Sequence, residues 1–365
     1  MILNTLSKDL AVSEVIRKKR YVPALTGLRA IAAYLVFLHH YNPASPGTFA
    51  YRLFFQGYVG VSLFFVLSGF LIYYRYADTY FEQKYWSWRS YLQNRFVRIF
   101  PLYALLLVIT VGAGSVMGRP MSLPLSGLNV TLLKGFSDET KFSGIAQSWS
   151  LTVEGCFYLL APPLFIGLRR WGLFWLTVGL VSIGILLWGT VGQMAWHGVF
   201  SSLPFVFFYT FFGRAFEFTA GMWLAYRWHR TQFLKYRFAT LAGLLIACGC
   251  VLWQANVVIF TANPTALLWS EVVVYNYLLP ITISLLFMGL NDRKSIFRYV
   301  LSRPLFQAFG QSSYAFYLIH IGVVASGLQK LGVTNTWMLF CLLILMAHSL
   351  YIFVEKPLQQ CLKKL

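Results

Sequence analysis

Residues 57–74, GYVGVSLFFVLSGFLIYY, run for 18 positions without a charged side chain. A hydrocarbon core of about 30 Å requires about 20 predominantly apolar residues in a helix, so this segment reads as a membrane span. Within it, Gly57, Gly60 and Gly69 with Ser62 and Ser68 are small enough to let a neighbouring backbone approach closely. Outward from it, comparable runs lie near 24–41, 54–74, 99–118, 151–168, 172–192, 203–226, 238–258, 264–289, 308–328 and 335–354. The expected fold is an all-α polytopic membrane protein with about ten transmembrane helices.

Composition agrees. The 365 residues are 58% hydrophobic and only 11% charged, against roughly 45–50% and about 25% in soluble domains. Soluble enzymes, disordered chains and disulfide scaffolds are excluded. The net charge of +19 would suggest nucleic acid in a soluble chain. Here the basic residues sit in short clusters between apolar runs, which points to membrane orientation and anionic head groups instead. With the N-terminus in the cytoplasm, 23 of the 30 Lys and Arg fall on the cytoplasmic side and five on the other. Missing one span would invert every later loop, so both termini are expected in the cytoplasm. The five cysteines have no metal-ligand spacing, and no metal is expected. No signal peptide, appended soluble domain or internal repeat is read, so residues 1–365 are expected to form a single membrane-embedded domain.

Charge within hydrocarbon costs at least ~2.5–3.5 kcal/mol per residue, which makes intramembrane ionisable groups functional candidates. In ALTGLRAIAAYLVFLHHYNP, Arg29 and His40 are eleven residues apart. That is about 20° from a whole number of helical turns and about 16 Å along the axis, so they share a face, whereas His39 turns roughly 80° away. Lipid snorkelling of Arg29 and an interfacial cap at His40 are the bland alternatives. Arg95 and Arg98 share a helix face at a cytoplasmic entrance, suited to polyphosphate but also to ordinary anchoring. Glu154 lies early in an apolar helix with Tyr158 one turn on. Arg214 and Glu217 can pair within their helix and read as structural. Glu271 reads as interfacial, and Tyr314, Tyr317 and His320 as a cluster on adjoining faces. His348 reads as an isolated core or lipid-facing residue.

Together these segments resemble the membrane-bound acyltransferase 3 family, the O-acyltransferases of surface polysaccharides and related acceptors. The matching motifs, in order, are LTGLRAIAAYLVFLHH (25–40), GYVGVSLFFVLSGFLI (57–72), RFVRIFPLY (95–103), SWSLTVEGCFYL (148–159), RAFEFTAGMWLA (214–225), SYAFYLIH (313–320) and VEKPL (354–358). The family pairs an Arg and a His with ten residues between them, which selects Arg29 and His40. Gly155 stands where many members carry a second Glu, and Ser62 where many carry Asp. The resemblance implies transfer of an acyl group, usually acetyl, from acyl-CoA to a hydroxyl of a glycan or glycoside, in the bacterial inner (plasma) membrane. It gives His40 the role of general base or acyl carrier. Arg29 would steady the donor, Glu154 would orient the imidazole or take the released proton, and Arg95 and Arg98 would hold the phosphates. Arg214, Tyr317 and His320 are further candidates. A proton-coupled exporter or flippase of a surface glycan is the alternative, but helix breaks and repeat symmetry are not expected. A non-catalytic scaffold would carry Arg29 and His40 at needless cost.

Overall fold

The computed structural model describes residues 21–83, 86–228, 238–260, 263–290, 292 and 294–363. The basic clusters at 17–20 and 230–237, which weigh in the charge asymmetry, lie outside them. Regular structure among the described residues is helical, apart from one isolated antiparallel bridge between Ser137 and Val199. The helices that build the site are α1 (Pro23–His40), α2 (Val59–Phe81), α3 (Trp88–Val116), α4 (Trp149–Gly189), α5 (Leu203–Tyr209), α6 (Ala215–Trp228), α7 (Ala239–Phe260), α8 (Leu279–Leu290), α9 (Ser313–Ile319), α10 (Val323–Lys330) and α11 (Thr336–Leu350).

The chain is an all-α integral membrane protein. Six continuous helical stretches among the described residues are long and apolar enough to cross a bilayer: Phe49–Phe81, Trp88–Val116, Ala146–Met194, Ala239–Val257, Pro264–Leu290 and Thr336–Leu362. Two of the spans read from sequence lie within the third of these, where Gly172, at φ 76°, breaks α4 in two. A positive φ of that size is easy only for glycine. Helix α1, 18 residues long and carrying Arg29, His39 and His40, is not among the six.

Two further spans differ from the sequence reading by being broken. Helix α5 stops at Tyr209 and α6 begins at Ala215, with Arg214 in the gap. The run 308–328 divides into Pro304–Gln311, α9 and α10, with His320 and Gly322 (φ 89°) at the second break. A π-helical stretch, Val272–Leu278, follows Glu271. Breaks inside apolar runs free backbone groups that must find partners within the protein. These interruptions surround the candidate site.

Helix packing follows from small residues, since lipid tails are as apolar as Leu and supply little drive for association. Helix α2 packs most extensively on α6. A Cβ built on Gly69 would lie 2.8 Å from the Phe218 carbonyl carbon and closer still to its oxygen. Gly60 meets the backbone of Ala32 on α1 in the same way. The expectation of close approach through these glycines holds.

Candidate functional site

Helix α1 begins with Pro23 in its first turn, where the missing N–H costs nothing, and ends at His40, just before Asn42 and Pro43. The helix terminus therefore delivers two histidines to the mouth of a cavity of about 560 Å³. Its walls include His39, His40, Tyr58, Gln147, Trp149, Tyr209, Arg214, Glu271 and Tyr317. His40 is exposed to this space and His39 half-buried. Both touch the cavity, so helical phase separates them less than the sequence suggested; their partners separate them more. The ring Nδ1 of His39 is bonded to the Phe55 carbonyl, whereas the His40 ring packs 5.4 Å from that of His320.

The break after α9 explains the cavity's inner wall. The last carbonyls of a helix lack intrahelical donors. The carbonyl of Tyr317 receives the Nδ1 of His320 at 2.7 Å and the Nε2 of Gln147 at 3.1 Å, and Leu318 O receives the same amide at 2.6 Å. The Tyr317 hydroxyl lies 2.8 Å from Ser150 Oγ and donates to Gln147 O at 3.1 Å. His320 Nε2 and Gln147 Oε1 are buried without a hydrogen-bond partner.

Ser150, Glu154 and Tyr158 stand at four-residue steps on α4, one above the other. Ser68 donates to Glu154 Oε1 at 2.7 Å, and the Tyr158 hydroxyl donates to the same oxygen. Glu154 is thus engaged with Ser68 and Tyr158, with no hydrogen bond to His40. The expected orienting contact is absent because α4 aims the carboxylate at α2. Beyond Tyr158 lies Arg95, whose guanidinium sits 5.8 Å from the Tyr158 ring and 5.2 Å from the Tyr76 ring. It donates to Tyr76 Oη at 2.9 Å, while its Nε is buried without a partner. Arg98, one turn along α3, is half-buried and within electrostatic range of Tyr158 and Glu355. A polar column therefore runs from the cavity, past Ser150 and Glu154, to the paired arginines, about 12 Å along α4 at 1.5 Å per residue.

Arg214 and Glu217 pair as the sequence suggested, Nε to Oε2 at 2.7 Å. Arg214 is 2% exposed and Glu217 fully buried. The guanidinium also donates to Ser62 Oγ at 3.1 Å and Asn276 Oδ1 at 3.4 Å. Arg214 at the same time forms part of the cavity wall. Arg29 lies two to three turns along α1 from the cavity, with its Nε buried and unpartnered.

Four side chains at or near the cavity are not marked as such by the sequence pattern. Glu271, which the sequence places at the outer end of its span, lines the cavity and directly precedes the π-helical stretch. Gln147 and Lys134 come from the polar segment 118–148, whose end borders the cavity at Phe142, Ala146 and Gln147. Lys134 is fully buried, with Nζ donating to Ile145 O at 2.8 Å and to Ser143 O, and burial pushes its pKa down to about 7. Ser68, a small residue of a packing helix by its sequence, donates to Glu154. Across α1, a second cavity of about 790 Å³ is lined almost wholly by apolar side chains, which leaves the His40 cavity as the chemical one. Among the described residues, no group of three or more His, Cys, Asp or Glu is arranged to hold a metal.

A family model described as an acyltransferase domain matches residues 22–354. The chain belongs to the acyltransferase 3 family. Relatives within reach by sequence carry corresponding names. A provisionally named O-acetyltransferase of Staphylococcus aureus (strain COL) is 22% identical over 94% of this chain and 58% of its own length. A provisionally named peptidoglycan O-acetyltransferase of Bacillus subtilis (strain 168) is 25% identical over 93% of this chain and 55% of its own. The acyltransferase MdmB of Streptomyces mycarofaciens is 25% identical over 85% of this chain and 81% of its own. The chain spans little more than half the length of the first two. No solved structure matches. Within this acyltransferase family, the matched region takes in both ends of the polar column, from His40 to Arg95 and Arg98, and the breaks that shape its cavity.

Proposed function

We propose that this chain is an integral-membrane O-acyltransferase moving an acyl group from acyl-CoA to a hydroxyl of a sugar or glycan. Its relatives' names favour acetyl. The observation that carries the reading is an exposed histidine, His40, at a cavity joined by a polar column to two arginines. Arg95 and Arg98 would bind the donor phosphates, for which the unpartnered Arg95 Nε offers a ready donor. Arg29 would hold the donor along its path.

The acceptor would enter the His40 cavity. Trp149 and Tyr209, whose ring centroids are 4.9 Å apart, offer flat apolar faces for a sugar, and Glu271 and the free Gln147 Oε1 offer acceptors for its hydroxyls. In the reaction, the acceptor oxygen attacks the thioester carbonyl and gives its proton to neutral His40. The carbon–sulfur bond then breaks, and the leaving thiolate takes that proton. In the acyl-carrier variant, the His40 nitrogen bonds to the acyl carbon as the carbon–sulfur bond breaks, and the acceptor oxygen then displaces it while its proton passes to the released thiolate. Glu154, held by Ser68 and Tyr158, would line the donor's route.

The positive-inside asymmetry supports a cytoplasmic face at Arg95 and an outer face at His40, as expected for the bacterial inner membrane. Donor and acceptor would then meet from opposite sides. Helix breaks also suit a glycan exporter, and the family supports transfer instead. The test is transfer of labelled acetyl from acetyl-CoA by purified protein in proteoliposomes supplied with glycan. Labelled ester is expected; glycan transport without label would overturn the reading.

A further inference from the structure

His320 is fully buried, yet it stands outside the cavity wall, directly behind His40. Its Nδ1 lies 2.7 Å from the Tyr317 carbonyl. A carbonyl can only accept, so Nδ1 carries the hydrogen, and in the neutral ring Nε2 carries a lone pair. That Nε2 is buried with no partner. A buried acceptor left unpaired is costly and rare, so a donor is to be sought among its neighbours. Three rings lie close. Phe316 stacks on His320 at 3° and has nothing to donate. The Tyr317 hydroxyl is committed to Gln147 O and Ser150. The third ring is His40, 5.4 Å away centroid to centroid, close enough that a His40 nitrogen turned toward His320 would come within hydrogen-bond range.

We infer that His320 is a positioning residue for His40, accepting a hydrogen bond from one His40 nitrogen and thereby leaving the other nitrogen, as a lone pair, facing the cavity. The inference rests on the proposed role of His40 as base. A short rotation of the exposed His40 side chain closes the contact. One ring nitrogen of a neutral histidine donates and the other accepts, so fixing one fixes the other. The arrangement does the orienting work of the acid in a Ser–His–Asp triad with a neutral imidazole, and so places no resting charge in the bundle. During transfer the acceptor's hydroxyl proton moves to the cavity-facing nitrogen of His40, the His40–His320 bond is kept, and His40 returns the proton to the thiolate sulfur. No proton passes to His320. The helix break at 320–322 is what makes the geometry available, because it exposes the Tyr317 carbonyl that sets the tautomer of His320.

The test is steady-state acetyl transfer by reconstituted wild type, His40→Ala, His320→Phe and His320→Gln, with variant folding followed by thermal unfolding in detergent. Phe fills the volume without an acceptor, whereas the Gln amide oxygen supplies one. A fall in kcat on the order of 10²-fold for His320→Phe, with KM for both substrates unchanged and at least tenfold recovered in His320→Gln, is expected. If His320→Phe does not fold, His320→Met, of similar bulk and without a strong acceptor, is compared with His320→Gln in its place. Wild-type kcat in a folded Phe or Met variant, with His40→Ala inactive, would overturn the pairing and leave the reading of His40 intact. Activity in His40→Ala would overturn that reading itself, and the pairing with it.

Discussion

Removing Glu217 should damage this protein more than removing Glu217 and Arg214 together. The carboxylate is fully buried, and its Oε2 takes the Arg214 Nε at 2.7 Å. In Glu217→Leu the guanidinium stays buried with only neutral partners, Ser62 and Asn276. Stripping one member from a buried ion pair costs about 3–5 kcal/mol, because the other charge remains uncompensated. In the double variant, Glu217→Leu with Arg214→Met, no charge is left. What remains is the loss of the Arg214 donor at Asn276 Oδ1 and Ser62 Oγ, together worth about 1–3 kcal/mol; the Asn276 amide keeps its bonds to Phe207 O and Gly213 O. The double variant should therefore be about 2 kcal/mol more stable than the single one. Equilibrium unfolding in micelles, read by tryptophan fluorescence, measures both. A single variant within 0.5 kcal/mol of wild type, or a double variant no more stable than the single, would refute the argument that Glu217 neutralises Arg214.

Three further outcomes follow from particular contacts. Gly69→Ala should cost about 1–3 kcal/mol in the same unfolding assay, as overpacking does, because its Cβ meets the Phe218 backbone. Lys134 has a folded pKa of about 7 against 10.5 when exposed, so between those values the unfolded chain binds more protons and stability should rise with pH. From pH 7 to 9 the gain should be on the order of 1–2 kcal/mol, fading below pH 7 and missing in Lys134→Met; a flat wild-type profile would contradict it. Arg95→Ala or Arg98→Ala should weaken acyl-CoA binding about ten- to a hundredfold, the worth of a charge-assisted phosphate contact; calorimetric titration that finds unchanged affinity in both would return them to membrane anchoring.

Much of this architecture was legible in the chain because membrane helices leave long apolar runs, and because Arg29 and His40 stand a near-whole number of turns apart. The breaks were not legible. Thr210–Arg214 and His320–Gly322 lie inside apolar runs, and the groups they free are satisfied by residues far along the chain, such as Gln147 on the Tyr317 and Leu318 carbonyls. Position along a helix gives depth but not the neighbour it faces. Glu154 accordingly bonds Ser68 and Tyr158 rather than His40, and Glu271, near the end of its span, borders the cavity. Lys134 shows the same limit in a loop, since a lysine in a polar stretch carries no mark of burial, yet the fold buries its side chain.

The central claim is that His40 is the base or acyl carrier for transfer. It is tested most directly by measuring labelled acetyl transfer from acetyl-CoA to glycan by purified wild type, His40→Ala and His39→Ala at matched protein levels. Loss of a general base costs about 10²–10⁴-fold. His40→Ala should fall by at least that lower bound, and His39→Ala, whose ring is held by the Phe55 carbonyl, by far less. An active His40→Ala beside an inactive His39→Ala would contradict the account.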